Sequence, residues 1–291
     1  MGEQVHVLVR GVGDVGSAVA IALHRSGYAV ALHDEPRPTT ARRGMAFADA
    51  VFDSSATLDG LVAQRVETAE ELHAVWAGGA VIPVSIGPYS QLRATVFWSA
   101  IIDAAMRKRA APEQQRGSAP LTIGLGPNFV AGGNVDLAIE TSWGDRLGAV
   151  IECGETLPLA GEPQPLGGVA RARFVYAPVA GCFETTMRIG ERVERGAVVA
   201  SIAGMVLCAP ISGVIRGLTH DGVSVALGTK VIEVDPRGDP ASAFGLGVRP
   251  QRIAEGVLRA MGRVSVPVGV RSFLRSPSSL PVALSPQLHD V

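Results

Sequence analysis

Apolar residues follow two different periods along this chain, and the switch between them lays out its organisation. Val5 to Val9 is a short apolar run containing His6, and it leads through glycines into apolar positions at helical spacing, Ala18, Ile21, Ala22 and Leu23. Gly27 ends that helix, and Ala29 to Leu32 is a second buried strand closing on His33-Asp34-Glu35-Pro36, so the opening unit reads β-α-β. The pattern predicts a helical stretch near Ala41 to Phe52, a strand at Leu61 to Val66, a helix from Ala69 to Trp76 and a strand from Ala80 to Ile86. A longer helix is predicted through Trp98 to Lys108, then a polar stretch from Ala111 to Ser118 and a strand at Leu121 to Ile123. Such alternation favours a parallel sheet, and residues 1–150 are expected to form a Rossmann-like α/β domain.

From about Ile151 the texture changes to glycine and proline punctuation, Gly161-Glu162-Pro163, Pro165 and Gly167-Gly168, which helices tolerate poorly. Beyond this seam lies an internal repeat. Ala177-Pro178-Val179-Ala180-Gly181 matches Ala209-Pro210-Ile211-Ser212-Gly213, and Gly190, Val193 and Gly196 match Gly222, Val225 and Gly228 at the same offset. Two short all-β halves of this kind resemble the barrel-sandwich hybrid of biotinyl and lipoyl carriers, expected here over residues 151–240. Residues 241–291 are expected to form an amphipathic helix, Pro250 to Met261, and an extended tail marked by Pro267, Pro277, Pro281 and Pro286.

Composition narrows the function classes. Hydrophobic residues make up 47% and charged residues 18%, as expected of a globular protein. A net charge of −1 and 5% aromatic residues offer neither a basic track nor a stacking platform for nucleic acid. Positive charge is carried almost wholly by arginine, with lysine only at Lys108 and Lys230. No leader-like segment stands at the start and no apolar run reaches membrane-spanning length, so a cytoplasmic protein is expected. Cys153, Cys182 and Cys208 show no paired or metal-ligand spacing, which points to buried thiols and to no metal site.

The first glycine turn carries the candidate chemistry. Gly11 permits a tight turn, Gly13 lets a phosphate approach the backbone, and Gly16 lets helix pack on sheet, while the helix N-terminus supplies free amides. Asp34 or Glu35, about 20 residues on, is placed to accept from a ribose, or else forms a solvated turn. Arg10, Arg42 and Arg43 are placed to pair with ligand phosphates, Arg42 and Arg43 equally as salt-bridged residues of a helix start. Asp14 reads as a turn former or as a ligand to a bound cation. A second turn, Gly124-Leu125-Gly126-Pro127-Asn128-Phe129, follows a later strand and is expected to line the same cleft through Gly124, Gly126, Pro127 and Asn128. Asp136 and Glu140 would share a helix face as solvated acids.

Arg10-Gly11-Val12-Gly13-Asp14, Thr40-Ala41-Arg42-Arg43, Ile123 to Phe129, Ala138-Ile139-Glu140-Thr141 and Ala209 to Gly217 together resemble one family. It is the YqeB-type selenium-dependent molybdenum hydroxylase system proteins, similar in their Rossmann part to XdhC/CoxI-like accessory factors. The resemblance covers residues 5–238. It implies a maturation factor that holds a pyrophosphate-containing ligand, a molybdopterin-type cofactor or NAD(P), for a molybdenum hydroxylase client enzyme. A homo-oligomer is expected, with no membrane or nucleic-acid partner.

The competing reading is an NAD(P)-dependent oxidoreductase, which needs a proton donor near the ring. His6, His24, His33, His73, His220 and His289 offer no such setting in the sequence, and no side chain is singled out as catalytic. A swinging-arm carrier would need a lysine on the hairpin near Ala203-Gly204-Met205, and none is there.

Overall fold

The computed structural model describes residues 4–107, 111–159, 161 and 163–263. The chain opens with β1 (His6–Arg10), enters α1 (Asp14–Arg25) through the glycine turn and returns as β2 (Ala29–His33), parallel to β1. A 3-10 turn at Arg43–Met45 and the short α2 (Asp49–Asp53) lead to the hairpin of β3 (Ser55–Leu58) and β4 (Leu61–Val66). α3 (Ala69–Gly78), β5 (Val81–Ser85), α4 (Tyr89–Thr95), β6 (Ala100–Asp103) and β7 (Leu121–Leu125) follow. Four short strands come next: β8 (Val130–Ala131), β9 (Leu137–Ile139), β10 (Val150–Ile151) and β11 (Gly154–Glu155).

Nine of these strands form one sheet in the order β10-β9-β7-β6-β1-β2-β5-β4-β3. This corrects the Rossmann-like parallel sheet expected from the sequence. The sheet is mixed, because β3 and β10 close its two edges antiparallel to their neighbours. The strand order differs as well: after β2 the chain runs out to the edge hairpin first, and β5 returns to fill the gap between β2 and β4. On the other side, the connections from β6 to β7 and from β7 to β9 contain no helix among the described residues. The helix expected from Trp98 to Lys108 is the strand β6, whose Ala100, Ile101 and Ile102 are buried between β1 and β7. A strand covered on both faces is apolar throughout, and periodicity cannot tell it from a buried helix.

The next eight strands are β12 (Phe174–Tyr176), β13 (Gly181–Glu184), β14 (Arg192–Val193), β15 (Val198–Ile202), β16 (Met205–Cys208), β17 (Gly213–Leu218), β18 (Val223–Val225) and β19 (Lys230–Asp235). They build two antiparallel sheets, β12-β19-β17-β14 and β16-β15-β13-β18. The repeat is visible in the pairing: β13 pairs with β15 of its own half and β18 of the other, and β17 pairs with β19 of its own half and β14 of the other. A small separate barrel-sandwich-hybrid domain is not what results. β12 and β16 stand at matching places in the two halves, and the sheet β12-β19-β17-β14 is bonded to the loop after β2, so the duplicated strands do not stand apart from the first part of the chain. Leu218 N–H donates to the Ala41 carbonyl at 2.7 Å, and Arg43 Nε donates to the Leu218 carbonyl at 2.8 Å.

α5 (Val248–Arg263) then returns to pack on α1, so the last described helix completes the first core. Gly256 lets α5 settle against the loop between β9 and β10, since a Cβ there would stand 2.3 Å from the Gly148 carbonyl oxygen. The tail expected beyond the helix lies outside the described residues. No helix among the described residues is long and apolar enough to cross a membrane. The three thiols, expected to be buried, are exposed. Strand alternation explains two of them: Phe183 and Leu207 face the core, so Cys182 and Cys208 face out.

Candidate anion site where the first helix meets the last strand

The glycine turn is built mainly for backbone contact within the protein. Gly11 has φ +106°, and a Cβ there would stand 2.7 Å from the Ala104 carbonyl oxygen; one at Gly16 would stand 1.9 Å from that of Gly11. Gly13 differs. It caps α1, and a Cβ there would meet only Thr40 Oγ1, at 3.9 Å. Asp34 turns back on the loop: its Oδ2 accepts from Val12 N–H at 2.8 Å and its Oδ1 from Glu35 N–H at 2.8 Å. Burial raises its carboxyl above the usual range, although these two bonds oppose the shift.

The other expected residues separate into groups. Arg10 pairs with Asp103 at 3.2 Å and Glu113 at 3.3 Å and stacks 4.0 Å over the Tyr89 ring. Arg43 pairs with Asp49 at 2.5 Å. Gly124 makes room for Phe129, since a Cβ would stand 2.1 Å from that ring, and Gly126, at φ +96°, makes room for Thr141. Pro127 lines a cavity of about 10 Å³ with Asp103, Met106, Leu125 and Phe129, room for roughly one water. Asn128, at φ +73°, accepts from the Asn134 side chain through its carbonyl. Asp136 and Glu140 share no helix face. Asp136 accepts from Thr122 and pairs with Arg116, and the buried Glu140 accepts from the backbone amides of Thr141, Ser142 and Leu157.

What remains together is Gly13, Asp14 and Arg42, and there the structure adds residues that sequence reading missed. Arg42 donates from Nη1 to Asp14 Oδ2 at 3.1 Å and grips the wholly buried Glu233 through Nε at 2.8 Å and Nη2 at 3.1 Å. Three further cations reach the same carboxylate: Lys230 Nζ at 3.2 Å, Arg216 Nη1 at 3.2 Å and Arg173 Nε at 3.6 Å. Arg173 Nε is buried and makes no hydrogen bond. Two β-bulges aim these groups. Pairing slips by one residue at Val231, where β12 meets β19, and at Arg216, where β17 meets β19. The first slip brings Lys230 and Glu233, three apart, onto one face, where a regular strand would oppose them.

A fifth cation, Arg249 at the start of α5, donates from Nε to the Thr141 carbonyl at 2.7 Å. Among the described residues no carboxylate lies within ion-pair distance of it. Burial depresses its pKa, while Asp14 and Glu140 act on it from further off. Burial would raise the Asp14 carboxyl, but Arg42, Arg249 and Lys230 outweigh it and hold the group below its usual range. Burial and then the neighbouring Arg42 lower Lys230 to about 8. Glu233 is held far below the carboxylate range by Arg42 and Lys230 despite its burial. Arg42, Asp14 and Lys230 keep 24%, 22% and 33% side-chain exposure, so solvent reaches the cluster.

A metal was not expected, yet Asp49, Asp53 and His220 carry ligand atoms within 4.8 Å of one another. Asp49 is already paired with Arg43.

No protein-family model matches the chain. It is similar to the "Uncharacterized protein YqeB" of Escherichia coli (strain K12), with 34% identity over 255 residues that cover 88% of this chain and 47% of the relative. The chain thus spans about half the length of the curated relative it matches. Among solved structures it is similar to a succinylglutamatedesuccinylase/aspartoacylase from Rhodobacter sphaeroides, at 18% identity, covering 80% of this chain and 85% of that one, TM-score 0.25. The ectoine utilization protein EutE (DoeB) from Ruegeria pomeroyi gives 15% identity, 80% and 86% coverage and TM-score 0.25. An aspartoacylase family protein from Mesorhizobium loti gives 10%, 80% and 84%, and TM-score 0.24. Scores this low carry no argument about fold or activity. The expected membership among molybdenum hydroxylase system proteins with XdhC-like relatives is corrected: no family model matches the chain, and the curated relative's name assigns no activity. The maturation role and the NAD(P)-dependent oxidoreductase reading are withdrawn with it.

Proposed function

We propose that this chain binds a small anionic ligand, carrying a carboxylate or phosphate, at the partly exposed charge cluster between the N-terminus of α1 and the start of β19. One observation carries the reading: four cations converge on the single carboxylate of Glu233, and Arg249 stands nearby without an ion pair among the described residues. Cations this crowded repel one another: burial first, and then the charge of Arg42, lower Lys230 and Arg216, and Arg249 is lowered mainly by burial. An added anion relieves the repulsion. Gly13 leaves the helix end uncovered, and the α1 dipole favours negative charge at that point.

Calorimetric titration with inorganic phosphate and, separately, succinate tests the reading and tells the two anion classes apart. NADPH and a pterin phosphate are further arms, because each carries phosphate groups. Saturable binding that weakens as salt rises supports the proposal, and the absence of heat with every anion overturns it.

A further inference from the structure

Resting on the anion site above, we propose that Lys230 forms a reversible imine with a small aldehyde or ketone whose anionic group is held by Arg42 and Arg249. An imine-forming lysine needs a free amine near neutral pH, an open approach, a counter-charge for the product and an anchor for the substrate. Lys230 has each. It opens β19 with a third of its side chain exposed, and its Nζ lies 4.6 Å over the face of Phe174, a wall that offers no competing hydrogen-bond acceptor. Burial, and after it the neighbouring Arg42, bring its pKa to about 8 from 10.5, so an appreciable fraction is unprotonated at neutral pH.

The reaction balances without an oxidant. Neutral Nζ adds to the carbonyl carbon, proton transfers turn the carbonyl oxygen into a leaving water, and the C=N bond forms. The protonated imine keeps the positive charge that Glu233 Oε2 already faces at 3.2 Å. The bulge at Val231 is what places the two groups together, so the local irregularity of β19 serves the chemistry.

The chain contains only two lysines, Lys230 and Lys108, the latter outside the described residues, which gives the test an internal reference. The full chain is incubated with pyruvate, with glyceraldehyde 3-phosphate or with neutral acetone, each in cyanoborohydride, and peptide masses locate the reduced adduct. At pH 7.5 the expected result is labelling at Lys230 at least roughly tenfold above Lys108 with an anionic carbonyl, and no such preference with acetone. Arg249→Ala should lower Lys230 labelling while its pH midpoint stays near 8. Equal labelling of both lysines, or equal labelling by acetone, overturns the imine. Inorganic phosphate has no carbonyl: if it binds while no adduct forms, the imine fails and the anion site stands, and if it does not bind, the anion reading itself fails.

Discussion

Arg42 clamps Glu233 with two arms of its guanidinium, Nε to Oε2 at 2.8 Å and Nη2 to Oε1 at 3.1 Å. Its remaining arm holds Asp14, so one side chain joins the first helix of the large sheet to the last strand of the paired sheets. Glu233 is the only carboxylate within ion-pair distance of Arg173 and Lys230 among the described residues, and it is wholly buried.

Removing that charge leaves buried cations facing each other. Glu233→Gln is therefore expected to cost about 3–5 kcal/mol of stability, the cost of breaking a buried pair at one partner. Urea unfolding at pH 7 checks it, and a loss below about 1 kcal/mol, the range of a surface ion pair, would contradict the assignment.

The glycines separate packing from binding. Gly16→Ala drives a methyl into the Gly11 carbonyl and is expected to destabilise by about 1–3 kcal/mol, as over-packing does. Gly13→Ala meets only Thr40 Oγ1, at an ordinary contact distance of 3.9 Å, and should cost no more than about 1 kcal/mol. Its methyl nevertheless crowds the end of α1, so phosphate affinity should fall. Paired melting and titration curves read both effects.

Lys230 ties stability to pH. Its pKa is about 8 in the folded chain against 10.5 in the unfolded one, so between those values the unfolded chain binds more protons. Stability attributable to this group must then rise with pH across that window, with the penalty fully present below about 8. Relative to Lys230→Met, the wild-type chain should gain stability from pH 7.5 to 10. A constant difference would mean that the amine is not perturbed.

Asp34 serves the turn through its Oδ2, which accepts from Val12 N–H. Asp34→Asn keeps an acceptor for the Val12 amide and sheds a buried charge, while its NH2 faces the exposed Glu35 amide, so it should lose less than about 1 kcal/mol at pH 7. Asp34→Ala should lose about 1–3 kcal/mol, because the Val12 amide is left without a partner. Equal losses in both variants would show that the charge, and not the acceptor, is what matters.

The opening β-α-β unit, the strand at Leu61–Val66 and the duplicated turns were legible because their apolar spacing is local. The strand order was not, since nothing in residues 55–66 tells a reader that β5 will slip back between β4 and β2. Gly11 was read as permitting a tight turn and Gly16 as letting helix pack on sheet, and a Cβ at either would strike neighbouring backbone. Arg42 was found from its place after β2, but its partner lies 191 residues on. Lys230, Glu233 and Arg216 meet only because two bulges break the strand period, and a period-two reading sends Lys230 and Glu233 to opposite faces. The usable signal was the scarcity of lysine: one of two lysines stands three residues from a glutamate inside an apolar strand.

The anion site rests most directly on Arg249, whose charge no carboxylate neutralises by an ion pair among the described residues. Titration of wild-type and Arg249→Ala protein with inorganic phosphate at low salt isolates it. One saturable site in the wild-type chain, weakened by at least roughly tenfold in a variant that still unfolds in one cooperative transition, is the predicted result, as for loss of a charge-assisted contact. Phosphate binding of equal strength in both proteins, or in neither, would contradict the account.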